Sequence, residues 1–142
     1  MFHFLRSCSF GLFLAASLGT VSCQQGSAIP EAPANSPLIG RWKLTQTSEG
    51  VAGRTMPADP VRKQEVKFGT TGNAEFYLNG SRTSTVSYAT VTTPSRHTGK
   101  PETFLVYGAN TGTKLMVRQL TSSKLILSED HSDGFAHHYV RR

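Results

Sequence analysis

Cysteine is almost missing from this chain of 142 residues: only Cys8 and Cys23 carry a thiol, and both lie close to the amino terminus. A fold stapled by several disulfides is therefore excluded, and so are CxxC metal and redox motifs. Tryptophan occurs once, at Trp42. No apolar run approaches the roughly 20 residues that a helix needs to cross a hydrocarbon core of about 30 Å; the longest, Phe10 to Leu18, falls well short. From Leu38 onward the chain also lacks a sustained apolar stripe of helical period. What remains is 37% hydrophobic and 17% charged, the balance of a globular protein with one small core.

The first 23 residues have the layout of an export signal, with Arg6 in a short basic region, the Phe10–Leu18 apolar centre, and then small residues. The stretch Leu18-Gly19-Thr20-Val21-Ser22-Cys23 resembles a bacterial lipobox, in which a cysteine after a small residue becomes acylated and forms the new terminus. Cys23 is the expected lipid attachment site, carrying palmitate-type chains, and residues 1–22 the lipoprotein signal peptide. Thr20 stands where an aliphatic residue is usual, which leaves ordinary signal-peptidase cleavage near Gly19 or Ser22 as the other reading. Because Cys8 leaves with the leader, Cys23 has no partner for a disulfide. Residues 23–37, with Pro30, Pro33 and Pro37 and few large apolar side chains, read as a flexible extended tether. Gln24 is not the aspartate that holds enterobacterial lipoproteins at the inner membrane, so the resemblance implies an outer-membrane anchor facing the periplasm.

Residues 38–142 read as one all-β domain. Short segments of period 2 run from Ile39 to Ser48, Lys63 to Thr70, Ala74 to Asn79, Arg82 to Thr93, Thr103 to Tyr107, Thr113 to Leu120, Lys124 to Glu129 and Phe135 to Arg141. Thr71-Gly72-Asn73, Asn79-Gly80, Asn110-Thr111-Gly112 and Asp133-Gly134 supply hairpin turns between them. Alternation puts Trp42, Leu44, Val66, Phe68, Phe76, Leu78, Val86, Tyr88, Phe104, Val106, Leu115, Val117, Leu125 and Leu127 on one face. Cations including Arg41, Lys43, Lys67, Lys114 and Arg118 fall on the other. An open sheet of this size would leave aggregation-prone edges, so an eight-stranded antiparallel meander β-barrel is expected.

Leu38-Ile39-Gly40-Arg41-Trp42, then Val66-Lys67-Phe68 through Gly72 to Phe76-Tyr77, and finally Leu125-Ile126-Leu127-Ser128 with Gly134 and Tyr139-Val140-Arg141 carry a family likeness. Together they resemble the lipocalin-like domains of small bacterial lipoproteins. The resemblance implies a barrel-closing motif of Gly40, Trp42 and Arg141, with the arginine stacked on the indole. The helix that follows the barrel in larger lipocalins has no counterpart before Arg142.

Candidate chemistry is sparse. A pocket, if open, is expected to be walled by Trp42, Phe68, Phe76, Tyr88, Val106, Val117 and Tyr139, with Gln64, Gln119 and His137 as inner polar groups; a filled core is the competing expectation. The loop Glu49 to Pro60 reads either as a lid or as a plain surface connection. His131, His137 and His138 are close in sequence, but neighbouring strand residues face opposite ways, so no metal site is expected. Neither a nucleophile–base set nor a phosphate-binding loop has the required spacing, so no enzyme activity and no cofactor are expected. With Arg6 removed from the 15 Lys and Arg, 14 cations face 9 Asp and Glu, leaving a scattered net charge of +5 that implies no nucleic-acid partner. The expected function is a monomeric, membrane-tethered protein holding a small apolar or amphipathic ligand in the bacterial envelope. The alternative is a packed barrel that binds an envelope protein or inhibits an enzyme.

Overall fold

Alternating side chains extend the backbone from Gly40, and each tight turn returns it beside the strand just made. The computed structural model describes residues 36–50, 53–108 and 113–142. The leader, Cys23, the tether up to residue 35 and the Asn110-Thr111-Gly112 turn lie outside the described residues. In chain order the strands are β1 (Gly40–Ser48), β2 (Thr55–Pro57), β3 (Gln64–Phe68), β4 (Asn73–Leu78), β5 (Ser81–Pro94), β6 (Pro101–Tyr107), β7 (Lys114–Leu120), β8 (Lys124–Ser128) and β9 (Ala136–Arg141). Every neighbouring pair is antiparallel, in the order β2-β1-β3-β4-β5-β6-β7-β8-β9, and β9 also pairs with β1. Eight strands thus close into a barrel, and no helix occurs among the described residues.

The ninth strand corrects the reading of Glu49 to Pro60 as a loop. Thr55–Pro57 pairs with Gln46–Ser48 on the edge of β1 that β3 has already left, making a short external ribbon. Asn79 (φ 52°) and Gly80 (φ 85°) both take the left-handed conformation that a two-residue hairpin between β4 and β5 requires. Asp133-Gly134 works differently from expectation. Gly134 is not left-handed; it is small because a Cβ there would meet the Glu129 Cβ at 2.8 Å.

Two strands present faces that simple alternation misplaces. In β6, Leu105 and Tyr107 belong to the interior cluster, so Phe104 and Val106 point outward, the reverse of the expected assignment. Thr-Phe-Leu-Val-Tyr is apolar at successive positions and carries no polar residue to mark its outer face. Phe104 is nonetheless buried: it lies opposite Met116 on the outside of the sheet, with the Lys114 ammonium 3.9 Å from its ring centre. In β7 the register shifts between Val117 and Gln119, which puts Leu120 against the core and Gln119 outside.

One end of the barrel is solid. Trp42 is fully buried and donates its indole N–H to the Leu38 carbonyl at 2.8 Å. The Arg141 guanidinium lies 4.3 Å from the indole centre and donates to the carbonyls of Ile39 at 2.8 Å, Pro37 and Ser122. Gly40 is required beneath it, since φ is +133° and a Cβ would meet Arg141 Nη1 at 2.2 Å. Outside this end the buried carboxylate of Glu65 accepts from Arg41 at 2.6 Å and from Arg142 at 2.7 Å, joining β3 to β1 and to the chain terminus. Arg141→Ala removes the stacking and leaves three carbonyls without this donor; a loss of about 1–3 kcal/mol in urea unfolding is expected. Arg141→Lys should recover little of it, because an ammonium lacks the planar fork. An unchanged midpoint in both variants would remove the plug from this account.

Candidate functional site

The interior divides along its length. Toward Gly40 the aromatic side chains fill it: Phe68 meets Tyr88 edge to face at 5.0 Å, and the Tyr88 hydroxyl is already committed to the Gly69 carbonyl at 2.9 Å. Trp42, Phe68, Tyr88, Leu105, Leu125 and Leu127 are each 1% exposed or less. Toward the other end, where β3 begins and β4 ends, a cavity of about 380 Å³ remains. Val66, Phe76, Leu78 and Tyr139 line it, Gln64 and Ser84 stand at exposed positions along it, and Arg62 lies at its rim.

The register explains this lining. Val66 pairs with Phe76, Phe76 with Ser84, and Gln64 with Leu78, so these residues share one side of three consecutive strands, and Glu65, Tyr77 and Thr83 border the space as well. Small Ser84 opposite Phe76 leaves room that a large side chain would take. Tyr139 enters from β9, beside Leu125 on β8 and Leu44 on β1. Burial pushes the Tyr139 phenol up to about 12, and burial, helped by Tyr139 and Tyr88 nearby, pushes Tyr107 up as well. Tyr107 stacks against Phe68 and leans on Phe76 at 5.4 Å. Neither the Tyr107 nor the Tyr139 hydroxyl has a hydrogen-bond partner among the described residues.

Of the residues expected to wall a pocket, Phe76 and Tyr139 do line the cavity. Trp42, Phe68 and Tyr88 are spent in the solid end, and Val117 packs against the same core. Val106 is a correction: it faces outward between Ala89 and Lys114. Gln119, expected inside, is exposed on the outer face because of the β7 bulge. Leu105 and Tyr107 were passed over within the continuous apolar run of β6; the only clue was that Tyr107 pairs naturally with Tyr88 across a hairpin. The β1–β2 ribbon is tied by the Ala58 N–H to Thr45 and the Glu49 N–H to Arg54, and its described residues do not line this cavity.

The histidines divide as their positions require. His137 faces inward, its Nδ1 3.4 Å from the Thr47 hydroxyl, and His138 faces outward, its Nε2 3.0 Å from the Ser48 hydroxyl. No group of three or more potential metal ligands occurs among the described residues. Beyond them, the tip of the β5–β6 hairpin reaches the β8–β9 loop, where the Ser95 hydroxyl and the Arg96 N–H both donate to Asp130. Those two bonds, the hydroxyl's first, hold the Asp130 carboxyl below its ordinary value.

No family model matches the chain, and no curated protein matches it.

Burial, reinforced by His138 and opposed by Glu129, holds the His137 imidazole below its ordinary 6.5; burial and Lys124 do the same for His138. Both rings are therefore easier to protonate in the unfolded chain. Their contribution to stability is complete above about pH 6.5 and is lost as pH falls below it. Urea midpoints measured from pH 7.5 to 5 should decline across that window, and His137→Gln should flatten the decline. An equally steep profile in that variant would exclude His137 as a source.

Proposed function

We propose that this barrel is a binding protein rather than an enzyme, and that it holds a small apolar or amphipathic molecule in the cavity lined by Val66, Phe76, Leu78 and Tyr139. The cavity itself carries the reading: about 380 Å³ lies within the range of pockets that enclose small molecules, and its walls combine apolar side chains with a few polar groups. Gln64, Ser84 and Tyr139 offer hydrogen bonds, but they include no paired acid and base. A lipocalin-like barrel of a bacterial lipoprotein suits this architecture, since eight closed strands leave space for one small ligand. Closure also pairs nearly all strand edges, leaving mainly the three residues of β2, which favours a monomer.

The localisation belongs to the same proposal. Export, acylation at Cys23 and an outer-membrane anchor facing the periplasm would place the barrel beside a source of apolar molecules, on a tether ending near Leu38. Two acyl chains would suffice for stable attachment, at about 0.8 kcal/mol for each buried methylene. The packed interaction barrel is the second reading, and the solid half of the interior favours it.

The protein purified from cells should release a bound small molecule when denatured, visible by native mass spectrometry. Ser84→Trp, at an exposed position on the cavity wall, should abolish that release while the melting temperature of the empty protein stays nearly unchanged. Retention of the same molecule by this variant would place the ligand elsewhere, and a protein empty in every preparation would leave the interaction barrel. Metabolic labelling with radioactive palmitate should mark the wild-type chain and not Cys23→Ser; label in both would remove Cys23 from the account.

A further inference from the structure

The chemistry of the cavity wall narrows the kind of molecule it accepts, an inference that rests on the interior-binding reading above. We propose that the cavity selects an uncharged molecule, with its apolar body against Val66, Phe76 and Leu78 and one accepting oxygen on the Tyr139 hydroxyl, over a carboxylate of the same length. The Tyr139 side chain is half-buried and lines the cavity, and its hydroxyl has no hydrogen-bond partner among the described residues. By contrast the Tyr88 hydroxyl is spent on the Gly69 carbonyl. A donor that opens onto a largely apolar cavity is available to an accepting ligand oxygen, and replacing that phenol by phenylalanine would forfeit the bond. No fully buried side-chain polar atom among the described residues lacks a partner, so the Tyr139 hydroxyl opens onto the cavity rather than being sealed in the core.

Charge supplies the discrimination. The charged group among the described strand residues that face inward is Arg141, which the closed end holds: it stacks on Trp42, donates to the Ile39, Pro37 and Ser122 carbonyls and does not line the cavity. The carboxylate of Glu65, whose residue borders the cavity, is held outside by Arg41 and Arg142. His137 is the inward base, and burial, against the opposing pull of Glu129, favours its neutral ring. The phenols of Tyr139 and Tyr107, raised by burial, remain neutral donors at any physiological pH. An anion placed against Tyr139 would give up its water and find no cation, an arrangement that proteins avoid. The cation on the lining is Arg62, exposed at the rim, where a carboxylate would stay outside the apolar wall.

The test uses the full chain carrying Cys23→Ser, with decan-2-one and decanoate titrated by calorimetry at pH 7.5. The ketone should bind at least about tenfold more tightly than the acid. Tyr139→Phe, which removes only the unpartnered oxygen, should weaken the ketone by about fivefold to tenfold and leave decanoate unmoved. Tyr107→Phe, at the neighbouring phenol, is the second variant should the first fail to fold, and a smaller loss in the same direction is expected. Decanoate binding as tightly as the ketone overturns the inference while leaving interior binding intact, and its loss in Arg62→Gln would then locate the head group at the rim. Equal ketone affinity in the tyrosine variants overturns it as well. If neither probe binds, interior binding falls and this inference with it.

Discussion

The pairing of β9 with β1 is the constraint on which the molecule depends. Residues at the two extremes of the folded chain, Trp42 to Ser48 and Ala136 to Arg141, meet in antiparallel register and convert a twisted meander into a cylinder. Without that seam both outer strands would expose unpaired N–H and C=O groups along their length. The seam also orients several charged, polar and aromatic side chains. β9 brings Arg141 over the indole, places the following Arg142 near Glu65, sends His137 and Tyr139 inward and leaves His138 outside. A one-residue slip would reverse every one of those directions, because side chains alternate strictly along a strand. Arg141, tied to three carbonyls beyond the strand ends, holds this register at the closed end.

Closure with a solid end makes the two halves of the interior unlike. Aromatic side chains fill the half of the barrel near Trp42, where they interlock and satisfy their own polar groups. Space survives at the other half, where small Ser84 and polar Gln64 stand on the wall in place of large apolar side chains. The filled core and the open pocket, competing expectations for the sequence, thus coexist in separate halves of one interior. The plug and the cavity thus lie at opposite ends of the interior.

The fold was readable to a large degree, and the site only in part. Polar residues alternate with apolar ones in Arg41-Trp42-Lys43-Leu44 and Val66-Lys67-Phe68, and there the face of each residue was correctly assigned. Asn79-Gly80 marked its hairpin because few dipeptides tolerate two left-handed residues in succession. The reading failed where that contrast was lost. In Thr103 to Tyr107 successive apolar residues fit either face, and the outer cluster of Phe104 and Met116 buries the wrong-seeming set. At Gln119 one extra residue in β7 reversed the parity for everything beyond it. Phe76 and Tyr139 stand in the lining where the period-2 reading placed them, whereas Tyr107 was hidden in the apolar run of β6.

By itself the amino-acid order determined the extended backbone, the positions of most turns and the inward set on strands with clear alternation. These are local properties, set by side-chain period and by the steric limits of a few residues. The tertiary structure alone decided which strand met β1, where bulges shifted the register, that Thr55–Pro57 formed an added ribbon, and which half of the barrel stayed open. Those outcomes depend on volumes and hydrogen bonds between residues nearly 100 positions apart, such as Thr47 and His137, separated by 90. No local pattern encodes the sum of such contacts, and it is that sum which leaves the Tyr139 hydroxyl facing open space.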